Sequence, residues 1–500
     1  MKKRIARLFA AVAGIITITY TQTAELRAGS ESYTYVYDYW EDVQESPDAY
    51  TVAKVFTFGD MGLSKNLKNP ESLTVHGNQI YISDTGNNRI IVLERTSADG
   101  FELVREFDSI KGSEVNDLKS PSDVAITDDG YIFIADRDNE RIVKVDMDLN
   151  YQMEFVKPTD AALAEDAAFH PDKIVCDTAG RIYCSASGIN KGLVKYEADG
   201  TFSGFIGATR VSYNLTDYIW KKIASQAQRA QMQSFVPTEY DNVYMDKEGF
   251  VYAVSAGLKE EDLKAETVDA VRKLNMMGSD ILVRNGDYPV YGDLYWGGGG
   301  GITGPSQFKD VTVLDNDIYI CLDQNRGRLF GYDDQGRMVY AFGGNGSLAG
   351  YFRAPSSIEH MDNDLFVLDR LDNTITMFIP TEYGNLIYKA MDEFDNGLYD
   401  EAQATWEQVK VLNGNYTLAY IGIGRSLLRK GEYKEAMEYF ELKYDDENYS
   451  RAYQQYRKGW IRDHIGVIIV VILALFLVPL GIGRFFKVKE EIDNADIFKL

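Results

Sequence analysis

Two positions beyond each of six prolines stands a residue that could act at one shared site: Ser72, Asp123, Lys173, Glu239, Gln307 and Ser357. The prolines are Pro70, Pro121, Pro171, Pro237, Pro305 and Pro355, separated by 51, 50, 66, 68 and 50 residues. Brought together, Asp123 and Glu239, with Glu71 close in sequence, are hard oxygen ligands that could hold a divalent cation. Lys173 supplies a competing positive charge in the same set and opposes that use. Ser72, Gln307 and Ser357 offer hydrogen bonds and no charge. Two chemistries therefore stand side by side. One is the binding of a polar ligand by Ser72, Lys173, Gln307 and Ser357; the other is a metal-assisted reaction in which Asp123 and Glu239 are catalytic. A second candidate surface is the loop where Tyr291, Tyr295 and Trp296 flank five consecutive glycines, Gly297 to Gly301. Aromatic faces beside an adaptable backbone can stack sugar rings; the same residues can equally form a packed cluster that anchors the loop.

A repeat must position these residues. The stretch IYISDTGNNRIIVL (80 to 93) returns as IFIADRDNERIVKV (132 to 145), YICLDQNRGRLFGY (319 to 332) and LFVLDRLDNTITMF (365 to 378). The third copy, IYCSASGINKGLVKY, lacks the Asp. Each copy reads as short β-rich runs joined by a polar turn and an Asp-led loop, and repeats of this length with four strands signal a β-propeller. Six copies predict an all-β propeller of six blades over residues 54–391, with the six residues after the prolines at the mouth of its channel. Asp84, Asp136, Asp323 and Asp369 are expected to accept hydrogen bonds from loop amides, and Arg89, Arg141 and Arg328, five residues on from the first three, to pair with those carboxylates. KVFTFG (54 to 59) reads as an outer strand that closes the last blade and so removes a free sheet edge. Residues 29–53, Tyr-rich and acidic, are expected to run as an extended lead-in over the propeller. The two long spacings hold insertions, one helical over Leu215 to Phe235 and one in the fourth repeat, with a charged, helix-prone Lys259 to Asp269 ahead of the Tyr291 to Gly304 loop.

The ends place the chain at a membrane. MKKRIAR followed by LFAAVAGIITITY reads as a secretory signal over residues 1–28. Residues 465–483 carry no charge and are long enough to cross a bilayer, with Arg484, Lys487 and Lys489 following. The signal orients the chain, with a large extracytoplasmic domain and a cytoplasmic tail, 484–500. Between propeller and span the apolar period changes to about 3.6. Gly397, Tyr399, Ala402 and Trp406 stand 34 residues before Gly431, Tyr433, Ala436 and Phe440, the tetratricopeptide period, over residues 385–463. A net charge of −24, from 52 basic and 76 acidic residues, excludes a nucleic-acid footprint. In the hairpin IVCDTAGRIYCS, a turn at Asp177 to Gly180 pairs Cys176 with Arg181 and sets Cys184 opposite Lys173, on the other face of the sheet; all three cysteines are expected as packed thiols.

On these motifs the propeller resembles the NHL repeat, and six copies resemble the six-bladed NHL and gluconolactonase-like propellers. The layout of signal, NHL propeller, tetratricopeptide pair and single span is similar to bacterial surface proteins associated with carbohydrate ABC transporters. The resemblance implies an extracytoplasmic, membrane-tethered binding or scaffold protein. Its helical repeats and propeller rim would engage protein partners, a transporter permease among them, or a glycan. The alternative it implies is a metal-dependent lactonase or lyase, since lactonase-type propellers hold a divalent cation with Glu, Asn and Asp, for which Asp123 and Glu239 are the candidates here. Amidating-lyase propellers need several histidines for zinc, and His76, His170, His360 and His464 do not repeat with the blades. No cofactor is expected on the binding reading.

Overall fold

The computed structural model describes residues 34–160, 163, 168–189, 191–207, 240–265, 268–296 and 302–497. The stretch read as a secretory signal, the expected 215–235 insertion, Glu239 and the five glycines lie outside the described residues. The chain forms two compact units, Met1–Tyr388 and Lys389–Leu500.

In the first unit the continuous apolar runs of the repeats become strands covered on both faces. From Ile80 on, every residue of Gln79–Asp84 is buried, because neighbouring sheets cover both its sides. Strand alternation then sorts the side chains. Ile80 and Ile82 face the last repeat, packing with Phe366 and Leu368. Tyr81 faces the second repeat, packing with Val124 and Ile134. The core thus lies as layers between adjacent sheets. The innermost strands, Ser72–His76, Pro121–Ile126, His170–Cys176, Asn242–Met245, Phe308–Val313 and Pro355–Met361, pack each on the next, and the last returns to the first. The result is a β-propeller. Five of its sheets have four or more strands; that of the fourth repeat has three, Asn242–Met245, Val251–Val254 and Val271–Leu274.

Two N-terminal segments complete other repeats. Tyr50–Phe56 forms the outer strand of the sixth repeat, antiparallel to Thr374–Pro380. Residues 35–45, expected as part of an extended lead-in, instead form a hairpin of Tyr35–Tyr37 and Val43–Glu45. Tyr35 pairs with Ala341 on the outer edge of the fifth repeat. The hydrogen-bonding edge of that sheet accounts for the difference: it offers the lead-in backbone the partners that a run over the surface would not.

The Asp-led loops use their carboxylates as expected. Asp323 accepts the Gln307 and Asn325 amides at 3.0 and 2.8 Å, and Asp369 the Arg353 amide at 2.7 Å. In the first two repeats the arginine pairing forms as well. Asp84 accepts the Lys68 amide at 2.7 Å and pairs with Arg89 at 2.7 Å, and Asp136 does the same with Lys119 and Arg141 at 2.7 and 3.0 Å. The fifth repeat differs, because Arg328 pairs with Asp293 at 2.6 Å. There the tight loop needs Gly327, at φ +62° with the place of a Cβ only 2.4 Å from the Gly344 carbonyl oxygen. The cysteine hairpin is also one residue out of the expected register. Its turn is closed from Asp177 to Arg181, so Cys176 pairs with Ile182 and Cys184 with Ile174. Cys176 and Cys184 therefore share a face, as free thiols.

In the second unit, Tyr399–Leu412, Thr417–Lys430 and Tyr433–Leu442 are helices packed in succession. Small residues allow the close approach: a Cβ on Gly422 would lie 2.4 Å from the Trp406 indole, and one on Gly424 2.6 Å from the Phe440 ring. The last helix, Asp446–Ile497, runs unbroken through residues 465–483 and is long and apolar enough to cross a membrane.

Candidate functional site

A bulge at the start of the inner strand recurs at Pro121/Asp123, Pro171/Lys173, Phe308/Asp310 and Pro355/Ser357. It inserts one extra residue and carries the next one into the ring. The register gives the ring as Ser72, Asp123, Lys173, Asn242, Asp310 and Ser357, opposite Ser83, Ala135, Ser185, Val254, Leu322 and Leu368. Four of these are the residues two beyond a proline. In the fifth repeat Ser306 and Gln307 intervene, so Asp310 takes the ring position. Gln307 instead clamps the loop of the fourth repeat, with its side chain accepting from the Leu258 amide and donating to the Leu258 carbonyl, both at 3.1 Å. In the fourth repeat the position belongs to Asn242, and Glu239 lies outside the described residues.

The ring acids staple the inner strands. Ser72 Oγ donates to Asp123, whose other oxygen accepts the Ile174 amide at 2.8 Å. Asp310 accepts Ser357 Oγ and the Ile358 amide, both at 2.7 Å, and Ser357 Oγ in turn accepts the Leu73 amide at 3.1 Å. Burial raises both acids, Asp310 to about 6, while the nearby Lys173 ammonium pulls each back down. Past the ring, a cavity of about 270 Å³ follows the channel, lined in part by Asp123, Asn242, Asp310, Glu359 and His360. Burial holds the Glu359 carboxyl well above its ordinary range, and Asp310 adds to the effect. His360 Nδ1 lies 2.7 Å from Thr312 Oγ1, and burial lowers its pKa to about 4.

That lowered pKa has a testable sign. A histidine kept neutral in the folded state contributes its full stability above the unfolded value of about 6.5 and loses it as pH falls through 6.5 toward 4. The stability difference between wild type and His360→Gln should therefore shrink by up to about 3 kcal/mol between pH 7 and pH 4, measured by denaturant unfolding of the propeller signal. A difference constant with pH would show an ordinary, solvated imidazole.

On the opposite side of the ring, at the strand starts, a cavity of about 410 Å³ opens at the channel mouth, and every repeat contributes to its lining. Arg137 lies between Glu71 and Asp172, 2.8 Å from the latter. Lys309 pairs with Asp241 at 3.2 Å. Lys173, 3% exposed, donates to the Glu71 carbonyl at 3.1 Å. His170, which also lines the cavity, has Nδ1 3.3 Å from the Arg137 carbonyl. Among the described residues no three His, Cys, Asp or Glu side chains gather where they could hold a metal ion.

The rim aromatics divide by role. Tyr291 and Trp296 stack edge to face at 5.3 Å and pack on the core between the fourth and fifth repeats. Trp296 Nε1 donates to the Asp293 carbonyl at 2.6 Å. Tyr295 is 75% exposed. Beneath them Asp293, absent from the sequence expectations, gathers Tyr35, Tyr37, Arg326 and Arg328. Asp310, Asn242 and Arg137 also escaped the proline rule, although counting back from LD (322 to 323), as from SD (83 to 84), would have reached Asp310.

No protein-family model matches the sequence, and no curated protein matches it. Among solved structures the chain is similar to virginiamycin B lyase from Staphylococcus aureus, at 10% identity and a TM-score of 0.37 over 65% of this chain and 98% of that one. It is similar to hydrazine synthase from Kuenenia stuttgartiensis, at 11% and 0.39 over 64% and 97%. It is also similar to a protein of unknown function from Bacteroides thetaiotaomicron, at 12% and 0.40 over 70% and 77%.

Proposed function

We propose that this protein is a membrane-tethered, extracytoplasmic binding protein whose propeller takes a small polar ligand at the channel mouth. The observation that carries the reading is the mouth cavity of about 410 Å³, within the range of small-molecule sites and lined by charged side chains from all six repeats, with Asp172, Lys173 and Lys309 fixed on the inner strands. The three-stranded fourth sheet reads as a sixth, NHL-like blade, supported by the closed succession of inner strands. Trp406 and Phe440, 34 residues apart, each pack against a glycine of the helix between them, Gly422 and Gly424, which supports tetratricopeptide-like helices that dock a protein partner. The uncharged stretch 465–483 within the last helix supports the tether, and the N-terminal signal pattern supports the extracytoplasmic side. The similarity of layout makes a transporter permease the first partner to test by crosslinking.

The test is thermal shift of the full chain in detergent against neutral, anionic, cationic and zwitterionic small metabolites. At least one class should raise the melting temperature. Ser187→Trp, at an exposed position of the cavity lining, should abolish that rise by filling the site. A panel that leaves wild type unmoved, or a shift that survives Ser187→Trp, would sink the reading.

A further inference from the structure

The charges in the mouth cavity are nearly all spent on one another. Arg137 serves Glu71 and Asp172, and Asp172 also accepts the Ser187 amide at 2.8 Å. Asp241 takes Lys309 at 3.2 Å and the Ala256 amide at 2.7 Å. Asp138 accepts Ser120 Oγ at 2.7 Å. Every acid of the lining thus has a partner already. Two cations do not: among the described residues neither Lys173 nor Arg370 has an ion pair, and the Lys173 ammonium bonds only to the Glu71 main-chain oxygen. Lys173 is close enough to Glu71, Asp123 and Asp310 to lower the pKa of each. None of the three carboxylates, however, reaches ion-pair distance.

Directly across from Lys173 in the strand register is Ser185. It is 3% exposed and lines the same cavity, and its Oγ has no hydrogen-bond partner among the described residues. A buried hydroxyl left without a partner is costly and calls for one. An ammonium and a hydroxyl side by side, both with donor capacity to spare, match the oxygens of an anion.

We propose that the mouth cavity takes a small ligand bearing a carboxylate or phosphate, its oxygens held by the Lys173 ammonium and the Ser185 hydroxyl while Arg370 faces it from the sixth repeat. The inference rests on the binding reading above and adds the ligand's charge. It sets sugar acids and sugar phosphates ahead of neutral sugars.

Titration calorimetry of the full chain in detergent with glucuronate, inorganic phosphate and glucose tests it. Glucuronate or phosphate should bind and glucose should not, and which anion binds separates the carboxylate source from the phosphate source. Lys173→Met should weaken binding by about tenfold or more, as loss of a charge-assisted bond does, Ser185→Ala by less, and Lys173→Arg should restore part of it. Arg370→Ser, at an exposed position, should weaken the same ligand and keeps the test decisive if Lys173→Met fails to fold. Binding of glucose as tight as that of glucuronate, or anion binding indifferent to Lys173→Met and Arg370→Ser, would overturn the inference while leaving a cavity that binds. Absence of anion binding also overturns it; the thermal-shift panel then decides whether the binding reading falls too.

Discussion

Asp293→Ala is expected to destabilise the propeller by about 3–5 kcal/mol, the cost of stripping a buried charge of its partner, and to release the N-terminal hairpin from the fifth repeat. Asp293 is 4% exposed. Its Oδ2 lies 3.0 Å from Arg326 Nε and 2.6 Å from Arg328, and its Oδ1 accepts the hydroxyls of Tyr35 and Tyr37. Arg326 and Arg328 come from the fifth repeat, the tyrosines from the lead-in, and Asp293 from the rim loop. One carboxylate therefore ties three separate stretches of chain. Removing it leaves two guanidiniums in a confined place and loosens the hairpin, whose backbone pairs with the sheet only at Tyr35↔Ala341. Its other ties include the Arg328–Tyr35 hydrogen bond at 2.9 Å and the packing of Tyr35 and Tyr37 on Phe330 and Tyr332. Limited proteolysis of the full chain should then cut between residues 34 and 50 well before the propeller melts, whereas wild type should resist. Asp293→Asn, which keeps the acceptor and loses the charge, should fall between the two. A melting temperature and a cleavage pattern both unchanged in Asp293→Ala would mean that the arginines are solvated and the hairpin is held by other contacts.

The fold was legible where local chemistry repeats. The Asp–Arg loops at 84/89 and 136/141, the apolar runs and the closing strand near KVFTFG each carry their own signal, because a strand buried on both faces has to be apolar throughout. What could not be read were the places where a distant partner decides. Arg328 has the spacing of Arg89 and Arg141, yet it turns to Asp293, 35 residues away in sequence. Gln307 sits two beyond its proline, yet the fifth repeat starts its strand late, and Asp310 holds the ring. The cysteine hairpin shows the same limit on a smaller scale: one extra turn residue moved Cys184 to the face of Cys176. At the site the sequence supplied Ser72, Asp123, Lys173 and Ser357 as a ring. It could not show that Asp123 is occupied in stapling strands, nor that Ser185 stands unpartnered beside Lys173, since both facts are matters of register.

Ring closure sets the second large effect. Tyr50 begins the strand that completes the sixth repeat and is fully buried. Its ring stacks on Phe342 at 5.2 Å and meets Tyr340 edge to face at 5.6 Å. Its hydroxyl donates to the Asn363 carbonyl at 3.0 Å and accepts from Tyr388 at 2.7 Å, which leaves Tyr388 to accept from the Tyr340 hydroxyl at 2.6 Å. Tyr50→Ala should cost about 3–5 kcal/mol, as other buried aromatic truncations do. Tyr50→Phe keeps the ring and loses only the hydroxyl bridge, for about 1–3 kcal/mol. The two variants should differ in kind as well as size. If the Tyr50–Phe56 strand peels away, Thr374–Pro380 becomes an open edge able to pair with other chains. Tyr50→Ala should then aggregate below its melting temperature, as light scattering would show, whereas Tyr50→Phe should melt earlier than wild type and stay soluble until it does. Equal aggregation in both variants would place the closure in the hydroxyl network rather than in the packed ring. Aggregation in neither would mean that the strand stays attached through its six paired positions from Tyr50 to Phe56 alone.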